Sequence, residues 1–168
     1  MTTKRTLVVL VSSALLAGSA GAVVALIVSR ADPSSSRQAE VRQRGASVMP
    51  FDLNQTQHIF RKTDFGGIQQ VVLRDSADAE QLPLIRSHLS EEREKFLRGD
   101  FDDPMSIHGM SMPGVDVLRR SVGRLTLQYR ALPNGAELRY ETTDPRVLSA
   151  LHAWFDAQLM DHGADADG

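Results

Sequence analysis

An uncharged apolar run near the amino terminus is the longest hydrophobic pattern in the chain. Residues 7–29 carry no charge over 23 positions, and Lys4 and Arg5 precede them. At about 1.5 Å per residue, a helix of this length can cross the hydrocarbon core of a bilayer, which is roughly 30 Å thick. The pattern predicts a basic tail over residues 1–6, a transmembrane helix over residues 7–29, and a single-pass cell-membrane protein whose partner is the lipid bilayer.

Other interpretations of this segment stay open. The Ala-Gly-Ala sequence at residues 20–22 has the form of a signal-peptide cleavage site, although the apolar run continues past it. Met49 would also serve as a start, which would make residues 1–48 an over-extended beginning. Gly18 and Ala22 have the small-xxx-small spacing that lets two membrane helices approach closely, so a homodimer through this helix is a further expectation.

The charges that flank the apolar run support two opposite membrane orientations. Four arginines follow it within about 15–20 residues, and a literal count under the positive-inside rule places the rest of the chain in the cytoplasm. A short basic tail before a first helix more usually stays inside, so we expect an extracytoplasmic domain. Residues 30–48 are rich in Ser, Gln, Arg and Ala, and this composition predicts a flexible, solvated tether.

From Met49 onward the pattern of apolar positions changes to that of a folded domain, residues 49–168. Residues 57–62 and 68–73 are typical of two strands around a turn that contains glycine. A helix is predicted over residues 78–98, where apolar residues recur at helical spacing. This first unit is a hairpin followed by a helix.

The second half of the domain repeats this plan. Strands are predicted over residues 124–129 and 136–141 around an Asn-Gly turn, and a helix over residues 145–160. Residues 99–122 form a link that holds a loop and one short helix near residues 115–121. The order β-β-α, link, β-β-α predicts an α+β two-layer sandwich with a four-stranded antiparallel sheet and both helices on one face. The helical positions expected to be buried are Ile85, Leu89, Leu148, Leu151 and Phe155.

Composition and charge exclude several classes of protein. The chain has no cysteine, which excludes disulfide scaffolds, thiolate metal sites and cysteine nucleophiles. Residues 1–48 hold six basic and two acidic residues, a net charge of +4, whereas residues 49–168 hold thirteen and nineteen, a net charge of −6. The total of −2 gives no general case for nucleic-acid binding.

Histidines are the main candidates for chemistry in the domain. Each of the two long helices carries a histidine with a carboxylate one turn later, His88 with Glu92 and His152 with Asp156. This spacing places both side chains on one helix face, as a pair of metal ligands requires. His162 follows at the end of the last helix. The alternative is that these histidines lie on solvated faces or make a hydrogen bond at the edge of the core.

The link between the two halves adds soft ligands. Met105, His108, Met110 and Met112 fall within eight residues, and thioether with imidazole suits copper, Cu(I) especially. The other interpretation is that the methionines pack the link onto the core as flexible fillers. Because His88 and His152 hold matching places in the two halves, a symmetric fold is expected to bring them together. The predicted copper site consists of His88, His108, Met112, His152 and His162.

Two other functions stay open beside metal or small-ligand binding. One is a small enzyme that uses His152 as a base and Asp156 to orient it. The other is a protein-interaction domain without a ligand. The sequence contains no nucleophile elbow, phosphate-binding glycine loop or His-Glu-x-x-His motif.

The domain resembles a family of small bacterial proteins, whose shorter members begin near Met49. The resemblance covers nearly all of residues 49–168 and rests on the stretches MPFDL (49–53), LIRSHL (84–89), GDFDDP (99–104), IHG (107–109), MPG (112–114), LHAWFDAQ (151–158) and DHG (161–163). Such proteins often carry the name aspartate carbamoyltransferase. The Ser-Thr-Arg-Thr phosphate-binding run of that enzyme does not occur in this sequence, and the resemblance implies no particular activity.

Overall fold

A mixed β-sheet with helices packed on it forms the part of the chain that the structure describes. The computed structural model describes residues 32–75 and 80–168, so the apolar run at residues 7–29 lies outside the described residues. The helices are α1 (Pro33–Val48), α2 (Gln81–Leu97), α3 (Asp102–His108), α4 (Val115–Arg119) and α5 (Pro145–His162). The strands are β1 (Thr56–Thr63), β2 (Gly66–Leu73), β3 (Thr126–Leu132), β4 (Gly135–Glu141) and β5 (Ala166–Asp167).

The sheet joins two hairpins and a short terminal strand in the order β3-β4-β2-β1-β5. β1 pairs antiparallel with β2, and β3 pairs antiparallel with β4. β2 and β4 are also antiparallel and lie side by side at the centre. β5 runs parallel to β1, opposite His58 and Ile59. The predicted four-stranded antiparallel sheet is therefore wrong, because the sheet has five strands and is mixed. The α+β class itself agrees with the structure.

The two long helices have a crossed packing on the sheet, in which each helix covers the hairpin of the other half of the domain. α2 packs mainly on β3 and β4, whereas α5 packs on β1 and β2. Each helix therefore lies over the hairpin that it does not directly follow. This arrangement brings the middle of α2 and the end of α5 together over the centre of the sheet.

The buried face of α5 differs by one position from the predicted one. Of the five positions predicted to be buried, the four at most 1% exposed are Ile85, Leu89, Leu151 and Phe155. Leu148 is only half-buried. The buried stripe of α5 follows helical spacing through Val147, Ala150, Leu151, Trp154, Phe155 and Gln158. Leu148 lies at the edge of this stripe, because it is rotated by about 100° from Val147.

The segment predicted as a tether contains a helix that packs on the domain. Asp32 caps α1, since its carboxylate accepts a hydrogen bond from the Ser34 backbone N–H at 3.0 Å. Val41 is 1% exposed, and Arg37 pairs with Asp161 of α5 at 2.7 Å. Residues 33–48 are therefore an ordered element of the fold and not a flexible spacer.

The predicted fold also included a transmembrane helix, and the residues that the structure describes contain none. Among residues 32–75 and 80–168, no helix is long and apolar enough to span a bilayer. The membrane assignment therefore finds no support in the structure. The predicted span itself, and the homodimer through it, fall on residues 7–29, outside the described part of the chain.

The link between the halves contains a helix that the sequence did not predict. α3 begins with Asp102 and Asp103 in its first turn, where carboxylates favour the positive end of the helix dipole. Phe101 precedes it, is fully buried, and stacks on Phe96 of α2 at 4.5 Å between ring centroids. The seven residues of α3 are too few to show helical periodicity, and for that reason the sequence predicted a loop here.

Gly114 of the link lies directly against the backbone of α5. Its φ is +79°, and a Cβ at this position would lie 2.0 Å from the carbonyl oxygen of Ala150. We expect Gly114→Ala to lower the free energy of unfolding in urea by at least about 2 kcal/mol. Gly109→Ala is the matched control, because Gly109 has φ +97° but no atom within 4 Å of a Cβ. Equal losses in the two variants would contradict the close approach to α5.

Candidate functional site

A small polar cavity of about 40 Å³ lies where the sheet meets α2, α3 and α5. We call it the histidine cavity, because four histidines from four elements line it: His58 of β1, His88 of α2, His108 of α3 and His162 of α5. Its other polar lining residues are Gln69, Glu92 and Gln158. Its apolar lining includes Phe60, Val71, Leu89, Phe96, Ile107 and Trp154.

Local periodicity explains why these polar side chains reach the cavity. On β1 the buried positions alternate, and His58 takes one of the inward positions. On α2, His88 and Glu92 are one turn apart on the same face. Gln158 and His162 have the same spacing at the end of α5. The crossed packing of the helices then brings the three pieces together.

The imidazole rings contact one another inside the fold. His58 and His162 stack with ring centroids 4.9 Å apart and an interplanar angle of 13°. His108 meets His162 edge-on at 5.0 Å, and Phe51 packs edge-on against His88 at 5.6 Å. His58, His88 and His108 are between 5% and 8% exposed. These rings are therefore part of the buried core, and their nitrogen atoms still supply hydrogen-bond donors and acceptors inside it.

His108 is oriented by a carboxylate that an arginine holds in place. Its Nδ1 lies 2.9 Å from Asp161 Oδ2, and Arg37 binds both oxygens of Asp161 at 2.7 and 3.0 Å. Burial opposes ionisation of Asp161, but hydrogen bonds from Arg37 and His108 outweigh it and lower the pKa of the carboxyl. An ionised Asp161 accepts a hydrogen bond from Nδ1–H of His108, so Nε2 of the neutral ring is left as the acceptor.

The groups around the cavity are shifted toward their neutral forms. Burial lowers the pKa of His58 to about 4 and that of His162 to about 2. Burial also lowers the pKa of His88 and His108. Burial raises the pKa of Glu92 to about 7, against the hydrogen bond from Lys95. The cavity therefore disfavours charge of either sign, because desolvation dominates at each of these groups.

Two aromatic residues carry polar groups in this region of the core. The Tyr140 hydroxyl donates to Gln69 Oε1 at 2.6 Å, and Gln69 in turn lines the cavity. Trp154 also lines the cavity and is 1% exposed. Within the described residues, its Nε1–H has no hydrogen-bond partner. A buried donor of this kind without a partner is rare in folded proteins.

Three of the five predicted site residues come together, and two do not. His88, His108 and His162 all line the histidine cavity. His152 instead lies beside the β1–β2 turn, where its Nε2 is 2.9 Å from the carbonyl oxygen of Gly66 and 3.2 Å from that of Thr63. It therefore holds the hairpin turn against α5. Its predicted partner in an enzyme, Asp156, pairs with Lys62 at 2.5 Å.

Met112 lies outside the cavity as well. It is 7% exposed and lines a separate surface groove with Arg37, Pro113 and Asp161. The methionine therefore packs the link onto α5, which was the alternative interpretation of the Met-rich segment.

The predicted copper site finds no support among the residues that the structure describes. In the part of the chain that the structure describes, no three His, Asp or Glu side chains are placed to hold one metal ion. The physical reason is that His152 and Met112 lie outside the cavity that holds His88, His108 and His162.

Sequence reasoning missed His58 and Gln158 as members of the site. His58 was one of five histidines, but no spacing rule linked a strand residue to the helices. Its inward position follows from the alternation of β1, where residues 56, 58 and 60 are buried. Gln158 lies in the buried stripe of α5, at a spacing where an apolar residue is expected. Neither could be joined to the other site residues without the crossed packing of the helices.

Comparison with known proteins gives no relative from which a function can be taken. No family model, curated protein or solved structure matches the chain. The resemblance to small bacterial proteins therefore stays a prediction. Six of the seven stretches on which it rests, all except residues 112–114, supply side chains that line the histidine cavity.

Proposed function

We propose that the α+β domain binds a small, neutral, hydrogen-bonding molecule in the histidine cavity. The observation that carries this proposal is the lining itself: four imidazoles, a carboxyl and two amides meet at one small cavity. Polar groups are buried in this number only where their hydrogen bonds are satisfied, because each unpaired group costs about 1–3 kcal/mol.

The size of the cavity limits the ligand. A single water molecule needs roughly 10–15 Å³ when volumes are measured with a water-sized probe. The cavity of about 40 Å³ therefore suits a molecule of a few non-hydrogen atoms. Small amides fit this description, since they both donate and accept hydrogen bonds.

The electrostatics of the lining favour a neutral ligand over an ion. Burial keeps His58 and His162 unprotonated and raises the pKa of Glu92 to about 7. A neutral imidazole offers one donor and one acceptor, and a protonated carboxyl adds a donor. The unpaired indole N–H of Trp154 adds a further donor among the described residues. A neutral ligand can use these groups without the desolvation penalty of a charge.

Formamide is the probe that tests this proposal. We expect formamide, titrated into the full-length chain, to shift the imidazole NMR signals of His58, His88 and His162 saturably and to leave His152 unmoved. Formate and ammonium, which are similar in size but charged, are expected to cause no saturable shift. His162→Phe fills part of the cavity and should abolish the response, whereas His152→Phe should keep it.

The outcome of this titration decides the proposal in both directions. Shifts that never saturate, or that are equal at His152 and the cavity histidines, would overturn it.

The same spectra test a second candidate, a small hydrolase in which Nε2 of His108 acts as the base. The pairing of His108 with Asp161 at 2.9 Å favours this candidate, because it matches the base and orienter of known hydrolytic sites. Release of formate from formamide would establish the hydrolase. Saturable binding of formamide without release of formate would support binding as the function.

A further inference from the structure

A groove lined by three arginines lies beside the beginning of α5, apart from the histidine cavity. Its volume is about 190 Å³, and its lining consists of Val117, Arg120, Arg124 and Arg146. No acidic side chain contributes to this lining. The groove shares no residue with the lining of the histidine cavity. We call it the arginine groove.

Arg124 is fixed in this groove by contacts on three sides. It donates to Asp144 Oδ2 at 2.9 Å, to the carbonyl oxygen of Arg120 at 3.0 Å and to Ser121 Oγ at 3.3 Å. A guanidinium has five N–H groups, so Arg124 keeps its Nε–H and one Nη1–H for a ligand. Asp144 is itself occupied, because it caps α5 by accepting from the backbone N–H of Arg146 and Val147.

The other two arginines of the groove are barely neutralised. Among the described residues, the one carboxylate near Arg120 is that of Asp116 at 3.9 Å, and both side chains are more than 70% exposed. A pair of this kind is worth little in water. Arg146 makes no ion pair within residues 32–75 and 80–168. Of the two guanidinium groups, that of Arg120 is therefore paired only weakly, and that of Arg146 has no ion-pair partner among the described residues.

We propose that the arginine groove binds the phosphate group of a small anionic molecule. Guanidinium groups bind phosphate oxygens through paired N–H donors, and such charge-assisted bonds are stronger than neutral ones. The first backbone N–H groups of α5 are taken by Asp144, so the guanidinium groups supply the donors. A fixed Arg124 and two exposed partners, Arg120 and Arg146, thus present their donors to the same groove.

Inorganic phosphate, titrated into the full-length chain at low salt, is the test. We expect saturable shifts of the Nε–H NMR signals of Arg120, Arg124 and Arg146. Arg120→Gln combined with Arg146→Gln is expected to weaken binding at least about tenfold, because each substitution removes a charge-assisted donor pair. Arg61→Gln combined with Arg74→Gln removes the same charge outside the groove and is expected to change binding less than about twofold.

Three results would overturn the proposal. The first is the absence of saturable binding by millimolar phosphate. The second is equal weakening in the two double variants, which would indicate attraction by the overall charge. The third is capture of the protein by phosphatidic-acid vesicles, lost in the groove variant, without binding of free phosphate. That pattern would assign the arginines to a membrane surface instead.

Discussion

Acidification from pH 7.5 to pH 4 is expected to destabilise the domain severely, through the buried histidines. Burial lowers the pKa of His58 from 6.5 in the unfolded chain to about 4 in the folded one. The unfolded chain therefore binds more protons, and the free energy of unfolding falls as the pH drops below 6.5. For His58 alone the loss reaches about 3 kcal/mol at pH 4. The lowered pKa of His162 acts in the same direction.

Other titrating groups near the cavity change the shape of this dependence but not its sign. The raised pKa of Glu92, about 7, contributes stability that is full below pH 4.5 and is lost as the pH rises through 7. It therefore offsets part of the loss between pH 7 and 4.5. Asp103 and Asp161 have lowered pKa values, so their contributions disappear only below pH 3.8. The positive charge of Arg42 also lowers the pKa of His162, and that of Arg74 lowers the pKa of His58.

Urea unfolding at pH 7.5, 6.5, 5.5 and 4.5 measures this effect. His58→Phe, which removes the titrating group, is expected to flatten the decline in the free energy of unfolding. His152→Phe is the matched control and should keep the wild-type decline, since His152 lies beside the β1–β2 turn. A free energy of unfolding that stays constant down to pH 4.5 would contradict the burial of neutral histidines.

The elements that the sequence predicted well are those whose stability depends on a repeating apolar pattern. β1 shows alternation, β2 ends in a run of β-branched and apolar residues, and α5 shows an apolar stripe, so their type and approximate limits follow from the sequence. α1 was missed because it packs through polar contacts. Arg37 binds Asp161 and Arg42 binds Asp165, while Val41 is its one large apolar side chain that is buried. Ion pairs between distant residues leave no periodic signal.

The sequence predicted the candidate site only in part, because contacts between residues that are distant in the chain leave no periodic pattern. The spacing of His88 and Glu92 placed both side chains on one face, and both do line the histidine cavity. The expected symmetry failed for His152, because α2 and α5 cross to opposite hairpins and present different faces to the centre. On α5 the face toward the cavity carries Gln158 and His162. Which face of a helix meets its partner depends on the tertiary packing.

Phe155→Ala is expected to lower the free energy of unfolding by about 3–5 kcal/mol. Phe155 is fully buried, and its ring packs edge-on against Phe60 at 5.3 Å and Tyr140 at 5.6 Å. A Cβ at Gly67 would lie 2.5 Å from its Cε2, so the β2 backbone contacts the ring directly. Leu148→Ala on the same helix is the matched control, with an expected loss below about 1 kcal/mol, because Leu148 is half-buried. Chemical denaturation of both variants decides the matter: a loss below about 1 kcal/mol for Phe155→Ala would mean that α5 does not pack on β1 and β2 through this face.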